Sequence, residues 1–468
     1  LKILNAKKMI KCSDLCCNSQ CSETLSTENI ILIISKNYKS YELISYLIDL
    51  WDKYLKEDIK NYLEFECYLH ILVNSLYNYQ YEQSIRTKIE EFLLKNTQHN
   101  ITLLNHFFWL ITNQLYSDTS CKYFTILRKK LISQLNEKTY KLFQNGYDFT
   151  QNLIRISNIN NENSMFDSIK EYFREYGEGI TEFSLPIDFN KTFKRIEYSQ
   201  IKMIQSKTKP IILPCVYNEK EIFKIMIKKE DIRKEEIIMK IIKLMDYFLK
   251  KELNLDLKPT IYNILPITHE YGYIEFVNNS ITLFDIRDNY KFSIQNWIIE
   301  NNPNISIQEY RNNLVKSCAF YSIVSYLLGI GDRHLDNIMI TNEGKLFHID
   351  FAYILGNDPK LISPEIRLTA EMLDAMGGIY SNDYKKFKLY SGQAYNCLRK
   401  HHNLFYTLLS HMKEFNPPIL NSFITNDKIK FYINNRFIPD ENDTQALTNI
   451  EYKIELNSDT YSETIIDY

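Results

Sequence analysis

The chain has 468 residues, 45% of them hydrophobic, and a formal net charge of −2 at pH 7. That is enough apolar material for the cores of roughly two or three domains, and near neutrality excludes a global pull toward nucleic acid or anionic membrane, so any such contact must be local. No apolar run approaches the roughly 18 residues of a transmembrane helix, and the N-terminus lacks a charged-then-apolar leader pattern.

The nine cysteines divide into two groups. Cys67, Cys121, Cys215, Cys318 and Cys397 are scattered through apolar surroundings and read as buried thiols of a reducing compartment. Cys12, Cys16, Cys17 and Cys21 cluster, but without C-x-x-C pairs or a nearby histidine they do not form a usual zinc pattern. Residues 1–25 therefore read as a Cys-rich, disordered tail.

Residues 26–150 read as an α-helical domain. Leu43, Leu47, Leu50 and Tyr54 share one helical face, and Ile44, Ile48, Trp51 and Leu55 form an adjacent stripe, as in a helix packed on two sides. The interval from Ile101 to Leu115 is similarly apolar, and Ile126 to Leu135 follows. Residues 151–182 read as a linker, with a polar loop over 156–164.

Strand patterns run from Pro210 to Tyr217 and from Glu221 to Ile227. Lys228 ends the second, with Lys229 as a rival, and a helix is expected from Asp231 to Lys250, with Ile237, Ile241, Leu244 and Phe248 on one face. A lysine at a strand end and an acid on the next helix is the kinase arrangement for holding ATP phosphates. An apolar helix from Val315 to Leu328 is stopped by Gly329-Ile330-Gly331.

The most informative segment follows. Asp332, His334 and Asn337 precede a short strand, Ile338 to Ile340; Thr341-Asn342-Glu343-Gly344 forms a turn; a second strand from Lys345 to Ile349 ends on Asp350. An antiparallel hairpin brings its outer ends together, so Asn337 and Asp350 meet, and both can bind magnesium through oxygen. The spacing from Asp332 to Asn337 equals the Asp-to-Asn spacing of the protein-kinase catalytic loop.

Gly331-Asp332-Arg333-His334-Leu335-Asp336-Asn337 and His348-Ile349-Asp350-Phe351 resemble the phosphatidylinositol 3-/4-kinase superfamily, and Ile354-Leu355-Gly356 with Asp358-Pro359-Lys360 resembles its class III 3-kinases. The resemblance implies an α+β fold: an α-helical accessory domain followed by a bilobal protein-kinase-like catalytic domain. Its N-lobe is expected over 183–275 and its C-lobe over 276–438. The glycine-free interval Ser206 to Pro210 falls where the family's phosphate-covering loop lies.

It further implies ATP with magnesium, or manganese as an alternative. Lys228 and Glu235 would hold phosphates, Tyr262 would line the adenine pocket, and the backbone of Glu275 and Val277 would bond adenine. Asn337 and Asp350 would hold metal. His334 is favoured as base, with Asp332 as the other candidate; Arg333 reads as an ion-pair residue and His348 as a supporting residue behind Asp350. The segment from Ala352 to Leu368 contains only Lys360 and Arg367 as cations, which suits a headgroup with one bridging phosphate and makes Lys360 the substrate candidate.

The implied reaction makes phosphatidylinositol 3-phosphate, for endosomal trafficking and autophagy. It would occur in the cytoplasm at endosomal or other internal membranes, with peripheral contact and no nucleic acid. Family analogy adds a regulatory pseudokinase and a coiled-coil subunit as partners. The alternatives are a catalytically weak or inactive scaffold and a related protein serine/threonine kinase.

Ala352, where the family has glycine, Glu235, where it has aspartate, and the altered C-terminal end motivate the scaffold reading; a positive φ at Ala352 would cost roughly 1 kcal/mol. Residues 439–468 hold eight acidic residues against Lys453 alone. They read as an acidic tail replacing the family's membrane-contacting helix. The family's N-terminal lipid-binding β-sandwich is expected to be absent.

Overall fold

A computed structural model describes residues 25–116, 121–159, 161–177, 183–204, 208–217, 221–290, 293–360, 363–414, 419–420 and 424–456. The cysteine cluster lies outside them, as do Ser206 and Lys207 of the phosphate-loop interval. The chain divides into two compact units, the first of residues 1–237, 262–276 and 411–419, the second of 238–261, 277–410 and 420–468.

The first unit begins with helices α1 (Thr27–Ser35), α2 (Tyr41–Glu57), α3 (Asn61–Asn78), α4 (Gln83–Thr97), α5 (Ile101–Asn113), α6 (Cys121–Ser133), α7 (Glu137–Ser157) and α8 (Glu162–Gly177). Side-chain caps set several starts: Ser40 accepts from the Leu43 N–H at 3.3 Å, Asn100 from Leu103 at 2.9 Å and Asn136 from Thr139 at 2.9 Å. The two stripes read on α2 bury Leu43, Ile44, Leu47, Ile48, Trp51 and Leu55. Trp51 meets Phe65 edge-on at 5.7 Å and Phe92 at 5.5 Å, joining α2, α3 and α4 in one aromatic core.

The interval expected as a linker is mostly helical: α7 runs to Ser157, and α8 buries Met165, Ile169 and Phe173 at i, i+4 and i+8. The Asn-rich stretch between them masks this helical period in the sequence.

A seven-stranded antiparallel sheet completes the unit, with β1 (Phe183–Leu185), β2 (Asp188–Ile196), β3 (Lys202–Met203), β4 (Ile211–Tyr217), β5 (Glu221–Lys228), β6 (Ile264–Pro266) and β7 (Gly272–Phe276). Its order is β1-β2-β4-β5-β7-β6, with β3 on β4. Tyr273 donates to Thr150 at 3.2 Å and Asn113 to the Pro266 carbonyl at 2.8 Å, fastening helices to strands. Helix α9 (Arg233–Leu253) follows β5.

The second unit holds β8 (Ser280–Thr282), helices α10 (Leu283–Asn289), α11 (Ile294–Asn301) and α12 (Ile307–Leu328), and the hairpin β9 (Ile338–Thr341) and β10 (Leu346–His348), with sheet order β10-β9-β8. It closes with α13 (Ala370–Ala375), α14 (Asn382–Leu398), α15 (His402–His411), α16 (Asn426–Phe437) and α17 (Asp443–Leu456). Helix α12 starts two turns before the expected Val315, because Ser306 caps it through a 3.1 Å bond from the Glu309 N–H. Gly329 ends it in the left-handed region at φ 57°.

Polar side chains along α12 grip the hairpin. Asn313 donates to the Glu343 carbonyl at 2.9 Å, Ser317 Oγ accepts from the Leu346 N–H at 2.9 Å, and Ser325 Oγ bonds His348 Nδ1 at 3.0 Å. Register follows: His348 pairs with Ile338, Phe347 with Met339 and Leu346 with Ile340. Gly344 turns the chain at φ 83°.

The acidic C-terminal segment is not uniformly a tail. Residues 443–456 form α17, which buries Ala446, Ile450 and Ile454 and packs on α14. Its charge is partly matched, with Arg399 2.9 Å from Asp443 and Lys388 3.0 Å from Glu455. The eight acids hide the helical period when composition alone is read. Residues 457–468 lie outside the described set. Among the described residues, no helix is long and apolar enough to cross a membrane.

Fully buried Ile450 tests this packing. Ile450→Ala is expected to lower stability by about 2–4 kcal/mol in urea unfolding; an unstructured tail would leave the midpoint unchanged.

Candidate functional site

In the first unit, Lys228 ends β5 with its ammonium 2.8 Å from Glu230 and 3.0 Å from Glu235 in the first turn of α9. The neighbouring Lys229 instead donates to the Ser157 carbonyl at the end of α7. The strand alternation thus sends the two lysines to different places, and only Lys228 meets the helix acid. Tyr262 is buried. The Glu275 N–H is occupied by the Asn263 carbonyl at 2.8 Å, which leaves the Glu275 carbonyl as its backbone group for a ligand. The Glu275 carboxyl accepts from the Asn263 N–H at 3.0 Å, and burial pushes its pKa up.

In the second unit, the Ile349 N–H donates to the Asn337 carbonyl at 3.1 Å, so Asn337 and Asp350 are one step apart across the hairpin mouth. Asn337 Nδ2 donates to the Asp332 carbonyl at 2.9 Å, which commits the nitrogen and turns the amide oxygen to other use. Asp350 Oδ1 accepts from the Ala352 N–H at 3.1 Å, a short Asx turn that leaves Oδ2. Two hard oxygens on adjacent chain segments suit a magnesium ion that takes its remaining ligands from phosphates and water. Among the described residues no group of three or more His, Cys, Asp or Glu could hold a metal ion alone.

Both aspartates sit in the left-handed region, Asp332 at φ 55° and Asp350 at φ 60°. Such backbone costs about 1–3 kcal/mol per residue and concentrates at functional sites. What holds it is Arg333, 8% exposed. Its Nε donates to the Gly331 carbonyl at 2.8 Å, and its Nη1 to the carbonyls of Ile349 at 2.7 Å and Asn337 at 3.3 Å; its Nη2 donates to the Asp350 carbonyl. The sequence suggests an ion-pair residue here; the fork of donors in addition ties the two halves of the hairpin mouth together. No sequence signal distinguishes those roles.

His334 is 38% exposed, with Nδ1 3.6 Å from Asp336 and Nε2 3.8 Å from Asp332. Both separations exceed hydrogen-bond length, so the ring is placed among carboxylates without being locked to one. Ala352 is not among the positive-φ residues; Leu355 at φ 59° and Gly356 at φ 74° take that conformation instead. The conformational penalty attached to alanine therefore does not arise. Of the two cations in this segment, Arg367 is buried and Lys360 is half-buried.

His348 stands behind Asp350, buried against Tyr321 with ring centroids 5.0 Å apart. Burial, helped by the Arg333 charge, holds its pKa well below the usual 6.5. The unfolded chain thus binds this proton more readily, and stability falls as pH drops through about 6.5. The melting temperature is expected to be lower at about pH 5.5 than at about pH 7.5, with His348→Phe reducing that difference. An equal pH dependence in wild type and variant would count against this contribution.

Comparison with known proteins agrees with the geometry. Residues 222–420 match the family described as Phosphatidylinositol 3- and 4-kinase. The chain is 31% identical to phosphatidylinositol 3-kinase VPS34 of Arabidopsis thaliana, over 82% of this chain and 49% of that protein. It is 30% identical to the root isoform of phosphatidylinositol 3-kinase from Glycine max, over 86% of this chain and 51% of that protein. With VPS34 of Saccharomyces cerevisiae the identity is 35%, over 51% of this chain and 28% of that protein. The chain spans about half the length of the two plant relatives. Residues 222–420 thus carry the phosphatidylinositol 3- and 4-kinase domain, and the similarity over most of the chain supports its recognition as a class III phosphatidylinositol 3-kinase.

Proposed function

We propose that the chain is a lipid kinase that transfers the γ-phosphate of ATP to the 3-hydroxyl of phosphatidylinositol. The observation that carries this is the hairpin mouth, where Asn337 and Asp350 stand side by side with Asp332 and His334 on the adjoining loop. Phosphoryl transfer needs positioning and charge neutralisation more than covalent chemistry. A divalent cation, magnesium or alternatively manganese, would neutralise phosphate charge there.

The residues divide the remaining work. Asn337 and Asp350 offer oxygen ligands. Lys228, oriented by Glu235, neutralises phosphate; Tyr262, the Glu275 carbonyl and the Val277 backbone receive adenine. His334 accepts the proton of the inositol hydroxyl, since a neutral imidazole is a competent base near pH 7; Asp332 orients it. Lys360 supplies a cation to the single bridging phosphate of the headgroup. With Arg367 buried, the segment has little to offer extra phosphates, which supports phosphatidylinositol over more phosphorylated inositides.

The scaffold alternative loses two of its three supports: Ala352 carries no left-handed strain, and Glu235 makes the lysine contact despite differing from the family's aspartate. A protein kinase reading has no observation of its own. The proposed setting is peripheral, on endosomal or other internal membranes, in vesicle trafficking and autophagy, with pseudokinase and coiled-coil partners by analogy to the family.

The test is phosphorylation of phosphatidylinositol vesicles with ATP and magnesium, alongside a protein acceptor. Asp350→Ala and Asn337→Ala are expected to lower lipid phosphorylation by at least about a hundredfold, and Lys360→Ala to raise the lipid KM more than it lowers kcat. Lipid product from Asp350→Ala at the wild-type rate, or none from wild type that binds ATP, would sink the proposal. Arg333→Lys keeps the charge but not the fork and is expected to lower kcat by roughly tenfold or more with a near-normal ATP KM.

A further inference from the structure

Within the cation-poor segment, Asp358 carries a carboxylate that has no assigned part in phosphoryl transfer. Asp358 Oδ2 accepts from the Asp332 N–H at 2.9 Å, and its Oδ1 accepts from the Lys360 N–H at 2.9 Å. The same side chain therefore receives the candidate catalytic aspartate with one oxygen and the candidate substrate lysine with the other. Ser363 adds a side-chain bond.

The surroundings are built for this approach. A Cβ on Gly331 would lie 2.6 Å from the Asn357 carbonyl oxygen and 2.9 Å from Asp358 Oδ2, so no other residue type fits there without displacement. Further bonds run from the Gly331 N–H to the Tyr353 carbonyl at 3.1 Å and from the Gly356 N–H to the Gly329 carbonyl at 3.0 Å. These bring the two strips of chain together but engage neither Asp332 nor Lys360. Burial opposes ionisation of Asp358, but the donated bonds from Lys360 and Asp332 outweigh it and hold the carboxyl below its usual range, so the acceptor is charged at neutral pH.

We infer that Asp358 is a positioning residue that couples headgroup capture by Lys360 to the placement of Asp332. This rests on the reading of residues 352–368 as the lipid-binding segment. Through the Asp332 N–H, Asp358 stabilises the left-handed backbone that aims the Asp332 carboxylate toward His334; through the Lys360 N–H, it fixes where the ammonium of Lys360 starts. A shift of about 1 Å in such an arrangement can cost a hundredfold in rate.

The test is a double-mutant cycle on the full chain, with Asp358→Ala, Lys360→Ala and the pair, assayed on phosphatidylinositol vesicles with magnesium-ATP. Asp358→Ala is expected to lower kcat/KM for lipid by roughly ten- to a hundredfold, with the ATP KM unchanged within about twofold. In its background, Lys360→Ala should cost less than about twofold, because the lysine is already misplaced. Independent multiplication of the two losses would overturn the coupling. Asp358→Asn, isosteric but able to serve only one N–H with its carbonyl oxygen, carries the same cycle if Asp358→Ala loses its fold. Amide exchange gives a readout independent of lipid turnover: either variant should speed exchange in residues 329–337, and unchanged exchange there would overturn the tether. Faster exchange in the Asp358 variants, with no lipid product from the wild type, would instead leave the tether standing and remove the lipid-kinase reading.

Discussion

The arrangement at the mouth of the β9–β10 hairpin depends on one buried guanidinium. Arg333 reaches the carbonyls of Gly331, Asn337, Ile349 and Asp350, which belong to two chain segments separated by the whole β9–β10 hairpin. A charged donor leaves water only if its hydrogen bonds are satisfied, and here the planar fork finds carbonyls in several directions. The result fixes the spacing between the segment bearing Asn337 and the segment bearing Asp350. Strand pairing ends at His348, and beyond it the backbone bond from the Ile349 N–H to the Asn337 carbonyl and the guanidinium together hold the two segments.

Left-handed backbone at Asp332 and Asp350 follows from the same constraint. Aspartate tolerates this region better than most residues because its short side chain can bond locally, and Asp350 does so to the Ala352 N–H. Asp332 cannot use its own side chain that way without removing it from His334. Its N–H is satisfied instead from outside, by Asp358. Local self-bonding at one aspartate and a remote acceptor at the other leave Oδ2 of Asp350 and the carboxylate of Asp332 for different tasks.

Much of this was legible in the sequence. The hairpin, its turn at Gly344 and the meeting of Asn337 with Asp350 follow from alternation and turn chemistry, which act over a few residues. The helical character of residues 26–150 follows from the period of their apolar side chains. What escaped has a common cause: amphipathic helices whose polar face dominates composition. Met165, Ile169 and Phe173 of α8, and Ala446, Ile450 and Ile454 of α17, are one buried apolar residue per turn in helices that are otherwise largely polar. The contacts of Arg333 and Asp358 escaped for another reason. They end on backbone groups, which every residue has, so no side-chain pattern marks the acceptor or donor.

The same distinction explains why Ala352 can follow Asp350-Phe351. A glycine in that position would allow positive φ, but the turn takes its left-handed residues on either side, at Asp350 and at Leu355-Gly356. What Ala352 must supply is an N–H for Asp350 Oδ1, and alanine supplies it as well as glycine does. Gly329 and Gly331 differ in kind: each stands where another strip of backbone or a side chain occupies the space of a Cβ. Glycine is thus required at the crossing of residues 329–331 with residues 353–358, and dispensable at position 352, after Asp350-Phe351. Departure from the family pattern falls where the geometry asks for a donor, and not where it asks for the absence of a side chain.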